Sequence, residues 1–109
     1  MDTDEALSIL SALAHPTRLG TFRLLVKHEP NGLSTGELVE ASKLTQSTFS
    51  THLAVMVKAG LILSEKRGRQ HIQRANLDAL RELMVYLAMD CCQASPRLCE
   101  PLLAELTCC

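Results

Sequence analysis

The chain has 109 residues, is 47% hydrophobic and 3% aromatic, and carries a formal net charge of −1. That length allows one domain with a small aliphatic core, and the composition excludes a disordered chain. The overall charge argues against a polyanionic partner, but its distribution does not. Residues 43–81 hold Lys43, Lys58, Lys66, Arg67, Arg69, Arg74 and Arg81 against Glu65 and Asp78, a net of +5, and the remainder nets −6. One segment is therefore a candidate footprint for phosphates. No apolar run is long enough to span a bilayer, and the acidic start Met1-Asp2-Thr3-Asp4-Glu5 is unlike a secretory leader. The cytoplasm is the expected compartment. There, five cysteines read as ligands or reactive thiols more readily than as a disulfide framework.

In chain order, the pattern predicts a helix over 4–14 with Leu7, Leu10, Leu13 and Ala14 on one stripe. It stops before Pro16, because a residue preceding proline avoids the α region. Pro16 then opens a second helix over 16–28, with Leu19, Phe22, Leu25 and Val26 apolar. Glu29-Pro30-Asn31-Gly32 is a turn by composition. Ser34 followed by Glu37 has the form of a capping box and opens a short helix to Ser42 that carries Leu38 and Val39.

After the tight connection Lys43-Leu44, residues 45–60 read as one helix with Thr45 as N-cap and Gly60 at its end. Phe49, Leu53, Met56 and Val57 take core spacing, while Ser47, Ser50, Thr51, Ala54 and Lys58 point away. A solvated helix face is usually rich in Glu and Lys. This one is almost uncharged and full of hydroxyls, which suits base edges and phosphates. Helix, short turn, helix is the helix-turn-helix arrangement. Residues 61–66 and 70–74 then flank Arg67-Gly68-Arg69 and read as a β-hairpin with a basic tip.

Asn76 caps a further helix over 77–91, with Leu77, Leu80, Leu83, Met84, Leu87 and Ala88 in a stripe too broad for a small monomer. It predicts a partner helix. Next comes the segment from Cys91-Cys92 through Pro96 to Cys99. Pro101 opens a last helix through Thr107, and the chain ends Cys108-Cys109. The expected architecture is a single domain over 1–109, mainly α with a β-hairpin wing. It is a winged helix-turn-helix with C-terminal dimerisation helices and a cysteine-rich sensor segment.

Four stretches carry a family resemblance: Leu13-Ala14-His15-Pro16-Thr17-Arg18-Leu19, Leu44 through Leu53, Ala59-Gly60-Leu61-Ile62, and Arg67-Gly68-Arg69. In that order and spacing the chain resembles the ArsR/SmtB family of metal-responsive repressors over roughly residues 5–90. The resemblance implies a homodimer that binds an inverted-repeat operator and releases it when an inducer binds. On the DNA side, Gln46, Ser47, Ser50 and Thr51 are expected near the bases and Lys43, Lys58, Arg67 and Arg69 on phosphates. His52 flanks the Phe49 and Leu53 face and is expected to be packed or bonded to backbone. Gln70 and His71 read as ordinary hairpin residues.

Members of this family differ in where the inducer binds. Residues 33–38 hold no cysteine, which removes one known site, and the helix from Asn76 to Asp90 holds no histidine, which argues against a second. The remaining candidates are Cys91, Cys92 and Cys99, three thiols within nine residues. Soft thiolates select thiophilic ions, and three sulfurs suit a pyramidal centre such as As(III) or Sb(III), whereas zinc needs a fourth ligand. The vicinal pair with a third cysteine beyond a proline also resembles the C-terminal arsenite site of some members. Each cysteine alone could equally pack as a small hydrophobe. The same thiols could instead sense oxidants or reactive sulfur. Cys108 and Cys109 read as a reactive tail. There is no Cys-x-x-Cys, phosphate-binding glycine loop or organic-cofactor motif, so an enzyme is not expected.

Overall fold

A computed structural model describes residues 1–94 together with residues 101 and 105, and side chains through residue 88 within the first of these spans. In chain order the elements are α1 (Thr3–Leu13), α2 (Pro16–Lys27), β1 (Leu33–Ser34), α3 (Thr35–Ser42), α4 (Gln46–Lys58), β2 (Ile62–Arg67), β3 (Gln70–Ala75) and α5 (Leu77–Ala94). The fold is a winged helix-turn-helix. No helix among the described residues is long and apolar enough to cross a membrane. The expected final helix lies outside the described residues apart from Pro101 and Glu105, both helical.

The helix boundaries follow from local chemistry. Asp2 caps α1 in a capping box with Glu5, and Ser34 does the same for α3 with Glu37. In each, two otherwise orphaned backbone donors find carboxylate or hydroxyl oxygens. Pro16 occupies the first turn of α2, where its missing N–H costs nothing. His15 supplies the cap there, its Nδ1 accepting from the Thr17 amide at 3.1 Å. Lys43 ends α3 in the left-handed region at φ 59°, and Thr45 caps α4 by accepting from the Thr48 amide.

The core gathers Ala6, Ile9 and Ala12 of α1, Phe22 and Leu25 of α2, Leu38 of α3, Phe49 and Met56 of α4, then Leu61, Ile62, Ala75, Ala79 and Leu83. Three expectations need correction here. The buried stripe of α1 is Ala6-Ile9-Ala12, whereas Leu7 and Leu10 are exposed. Small side chains let α1 lie close against α2 and α4, and this turns the leucine stripe outward. Leu19, Val26 and Val57, also expected as apolar packing positions, are exposed. The expected stripe of α5 is divided as well: Leu83 is buried, Leu80 and Met84 are half-buried, and Leu77 and Leu87 are exposed.

The wing hairpin, β2 and β3, belongs to a three-stranded antiparallel sheet in the order β1-β3-β2. β2 and β3 pair from Ile62 with Ala75 to Arg67 with Gln70 across a turn that contains Gly68 at positive φ. The two-residue strand β1 was not expected, because a pair of residues shows no alternation. Leu33 and Ser34 pair with Gln73 and Ile72. Gly32 precedes it at φ 74°, and a Cβ there would meet the backbone oxygen of Gln73 and lie 2.7 Å from Arg74 Cγ. Gly32→Ala should therefore lower stability by about 2 kcal/mol or more, read as a fall in Tm of roughly 10 °C.

Candidate nucleic-acid interface

Burial of Phe49 and Met56 fixes which side of α4 faces outward. Both are 0% exposed, and Gln46, Ser47, Ser50, Thr51, Ala54 and Lys58 stand on the surface. The expected base-facing residues therefore share one exposed face at the N-terminal half of the helix. Their hydroxyls are not equivalent. Thr51 Oγ1 donates to the Ser47 carbonyl at 3.2 Å, so it offers a partner only an acceptor and a methyl group. The hydroxyls of Ser47 and Ser50 make no hydrogen bond to another side chain or to backbone among the described residues.

The basic segment divides into paired and unpaired cations. Arg74 on β3 is held by Glu29 through Nη2 at 3.0 Å and Nε at 3.2 Å, and by Glu65 through Nη1 at 3.0 Å. Glu29 sits in the loop before β1, so this triad fastens the hairpin to the body. Hydrogen bonds from Arg74 and then Arg67 hold the Glu65 carboxyl below its ordinary range, and the two carboxylates raise the Arg74 pKa. Arg74 therefore belongs to the scaffold and contributes little to the phosphate footprint.

Arg67 also donates to Glu65, with Nη2 at 2.9 Å and Nε at 3.2 Å. Its pair is half-exposed, at 51% for the arginine side chain and 38% for the glutamate. Such pairs are weak, so a phosphate can compete for Arg67, at the cost of releasing Glu65. Among the described residues Lys43, Lys58, Lys66 and Arg69 form no ion pair. Lys66 belongs to the basic segment but was not among the expected phosphate contacts, although its place on β2 beside the Arg67-Gly68-Arg69 tip could have suggested it. Lys43 and Lys58 flank α4 at its two ends and Arg69 is at the tip of the wing. The surface thus offers a polar helix between cations, which matches a helix lying in a major groove with flanking backbone contacts.

His52 is packed, as expected, but its partners are side chains. Its Nδ1 lies 3.1 Å from Arg18 Nη1 and its ring centroid 4.3 Å from that of His15. Burial, then His15, then Arg18 hold its pKa below the ordinary value of 6.5. Gln70 and His71 are exposed hairpin residues. Cys91 and Cys92 fall within the span of α5, but their side chains, and all of Cys99, Cys108 and Cys109, lie outside what is described.

Comparison with known proteins fits this geometry. Residues 13–65 match a helix-turn-helix domain family. The chain is 36% identical to the transcriptional repressor PagR of Bacillus anthracis, across 67% of this chain and 68% of PagR. It is 30% identical to the transcriptional activator HlyU of Vibrio cholerae, across 84% of this chain and 82% of HlyU. Among solved structures, an ArsR-like transcriptional regulator from Rhodococcus superposes with a TM-score of 0.71 at 24% identity, over 89% of each chain. The chain belongs to a family of helix-turn-helix transcriptional regulators that includes PagR and HlyU. In this regulator the helix-turn-helix is α3 and α4, and the wing is β2 and β3.

The two classes of contact separate experimentally. Lys43→Ala and Arg69→Ala should each weaken binding evenly across DNA sequences and lower the slope of log affinity against log salt by about one. Arg67→Ala should change that slope less, because its guanidinium already has Glu65. Gln46→Ala should cost about 1–3 kcal/mol on specific DNA only, measured by fluorescence anisotropy on specific and scrambled duplexes.

Proposed function

We propose that this protein is a homodimeric cytoplasmic repressor that binds an inverted-repeat operator and releases it when As(III) or Sb(III) binds Cys91, Cys92 and Cys99. The observation that carries the dimer is an apolar surface without a partner among the described residues. On α1, Leu7 is 58% exposed and Leu10 39%; on α5, Val85 is 61% and Leu87 60%. α1 and α5 pack together, and the Thr3 and Tyr86 hydroxyls lie 2.7 Å apart between them. A second copy related by a two-fold axis would cover this surface and present two α4 helices to two half-sites. Repression, rather than activation, is the PagR-like reading of the same fold.

The inducer reading rests on donor chemistry. Cys91 and Cys92 belong to the last turns of α5, and Cys99 follows Cys92 by seven residues in the sequence. Three thiolates and no histidine within this segment suit a soft three-coordinate ion, and binding displaces the thiol protons. An ion that binds one dimer arrangement better shifts the population away from the one that fits DNA.

Leu87→Glu should yield monomers by sedimentation equilibrium and weaken operator binding by about tenfold or more, because a monomer loses one half-site. For induction, the reduced protein on a duplex from upstream of its own coding sequence is titrated with arsenite, following DNA release and thiolate–metalloid absorbance together. The expected result is release at about one As(III) per chain, abolished in Cys99→Ser while DNA binding persists. DNA that stays bound with arsenite but leaves on treatment with peroxide or persulfide would instead assign the cysteines to redox or sulfur sensing.

A further inference from the structure

Neither DNA contact nor the cysteine segment accounts for the group of side chains at the α1–α2 corner. Arg18 Nε donates to the Ala12 carbonyl at 2.6 Å, and its Nη1 lies 3.1 Å from His52 Nδ1. His15 leans on His52 with its ring tilted by 37°. Arg18 therefore reaches from α2 to the end of α1 and to the middle of the recognition helix α4. His52 is the residue after Thr51 and two after Ser50, so it sits behind the base-facing side chains.

The direction of this hydrogen bond follows from its atoms. A guanidinium has donors and no acceptor, so Nδ1 of His52 must offer a lone pair, and the neutral ring keeps its proton on Nε2. The same holds for His15, whose Nδ1 accepts from a backbone amide. A proton on His52 Nδ1 would set donor against donor and cation against cation.

We propose that His52 is a positioning residue for the recognition helix, held by Arg18 only while its imidazole is neutral, so that DNA affinity is weakened by acid through this one contact. The charged and titratable groups that face His52 are Arg18 from α2 and His15 from the corner, and no carboxylate faces it among the described residues. Its pKa in the folded protein is therefore depressed, while a released ring regains the ordinary value. The contact is at full strength above about pH 6.5 and is lost as pH falls through the lower folded value. Acid acts on the rest of the protein and on the DNA as well, so the effect must be read against a matched variant.

His52→Asn provides it, because the asparagine oxygen takes the place of Nδ1 as an acceptor and does not titrate. Binding of both proteins to a duplex from upstream of the coding sequence is measured between about pH 5.5 and about pH 7.5. The expected result is affinities within about twofold at the upper end and wild type weaker than the variant by about fivefold or more at the lower end. Parallel profiles would overturn the proposal. Nitrogen-edited spectra of the wild-type imidazoles need no DNA and judge the proton position separately from DNA binding. An unprotonated His52 Nδ1 at neutral pH is expected, and a protonated one overturns the proposal. Arg18→Met should weaken DNA binding at neutral pH, and adding His52→Asn to it should then leave the pH profile nearly unchanged.

Discussion

Phe49 and Met56 stand seven residues apart on one helix with no exposed surface, and the rest of the molecule is arranged to keep them so. Leu25 from α2, Leu38 from α3 and Leu61 at the start of the wing, each 2% exposed or less, belong to the same core. Fully burying side chains of this size is worth about 1.5–3 kcal/mol each, a large share of the stability of a domain this small. That seam leaves only one face of α4 for anything else. The helix could then carry hydroxyls and an amide where another surface helix carries salt-bridging charges, because its place is secured from behind.

Much of this was legible in the chain. The capping box at Ser34 and Glu37, the proline at the head of α2, the Thr45 cap and the glycine at 60 each act over three or four residues, and each sets an element boundary that the sequence shows. The face of α4 was legible for the same reason, since one large aromatic at Phe49 fixes the phase of the helix. In α1 the phase was misread. Ala6, Ile9 and Ala12 have the same spacing as Leu7, Leu10 and Leu13, and hydrophobicity favours the leucines. Which stripe turns inward depends on how closely the neighbouring helices approach, and that is a property of the packed molecule.

Contacts between distant residues were likewise beyond sequence reasoning. Arg74 looks like part of a basic segment until Glu29, 45 residues earlier, is found against it. His52 could be assigned to a packed face, but its bond to Arg18 joins residues 34 apart. The candidate DNA face was thus readable as a set of exposed residues, whereas the division of its cations into free and committed ones was not. The cysteine segment remains a sequence-level reading, resting on the chemistry of the donors.

Asn76 has a place in this arrangement that its role as a helix cap understates. Its side-chain oxygen receives the Ala79 amide, its Nδ2 donates to the Gly60 carbonyl at 2.8 Å, and its backbone amide donates to the Leu61 carbonyl at 2.8 Å. Leu61 in turn donates to the Met56 carbonyl. The start of α5, the exit of α4 and the root of the wing therefore meet at a single pivot. The first turn of α5 cannot shift without straining the exit of α4 and the root of the wing at the same time.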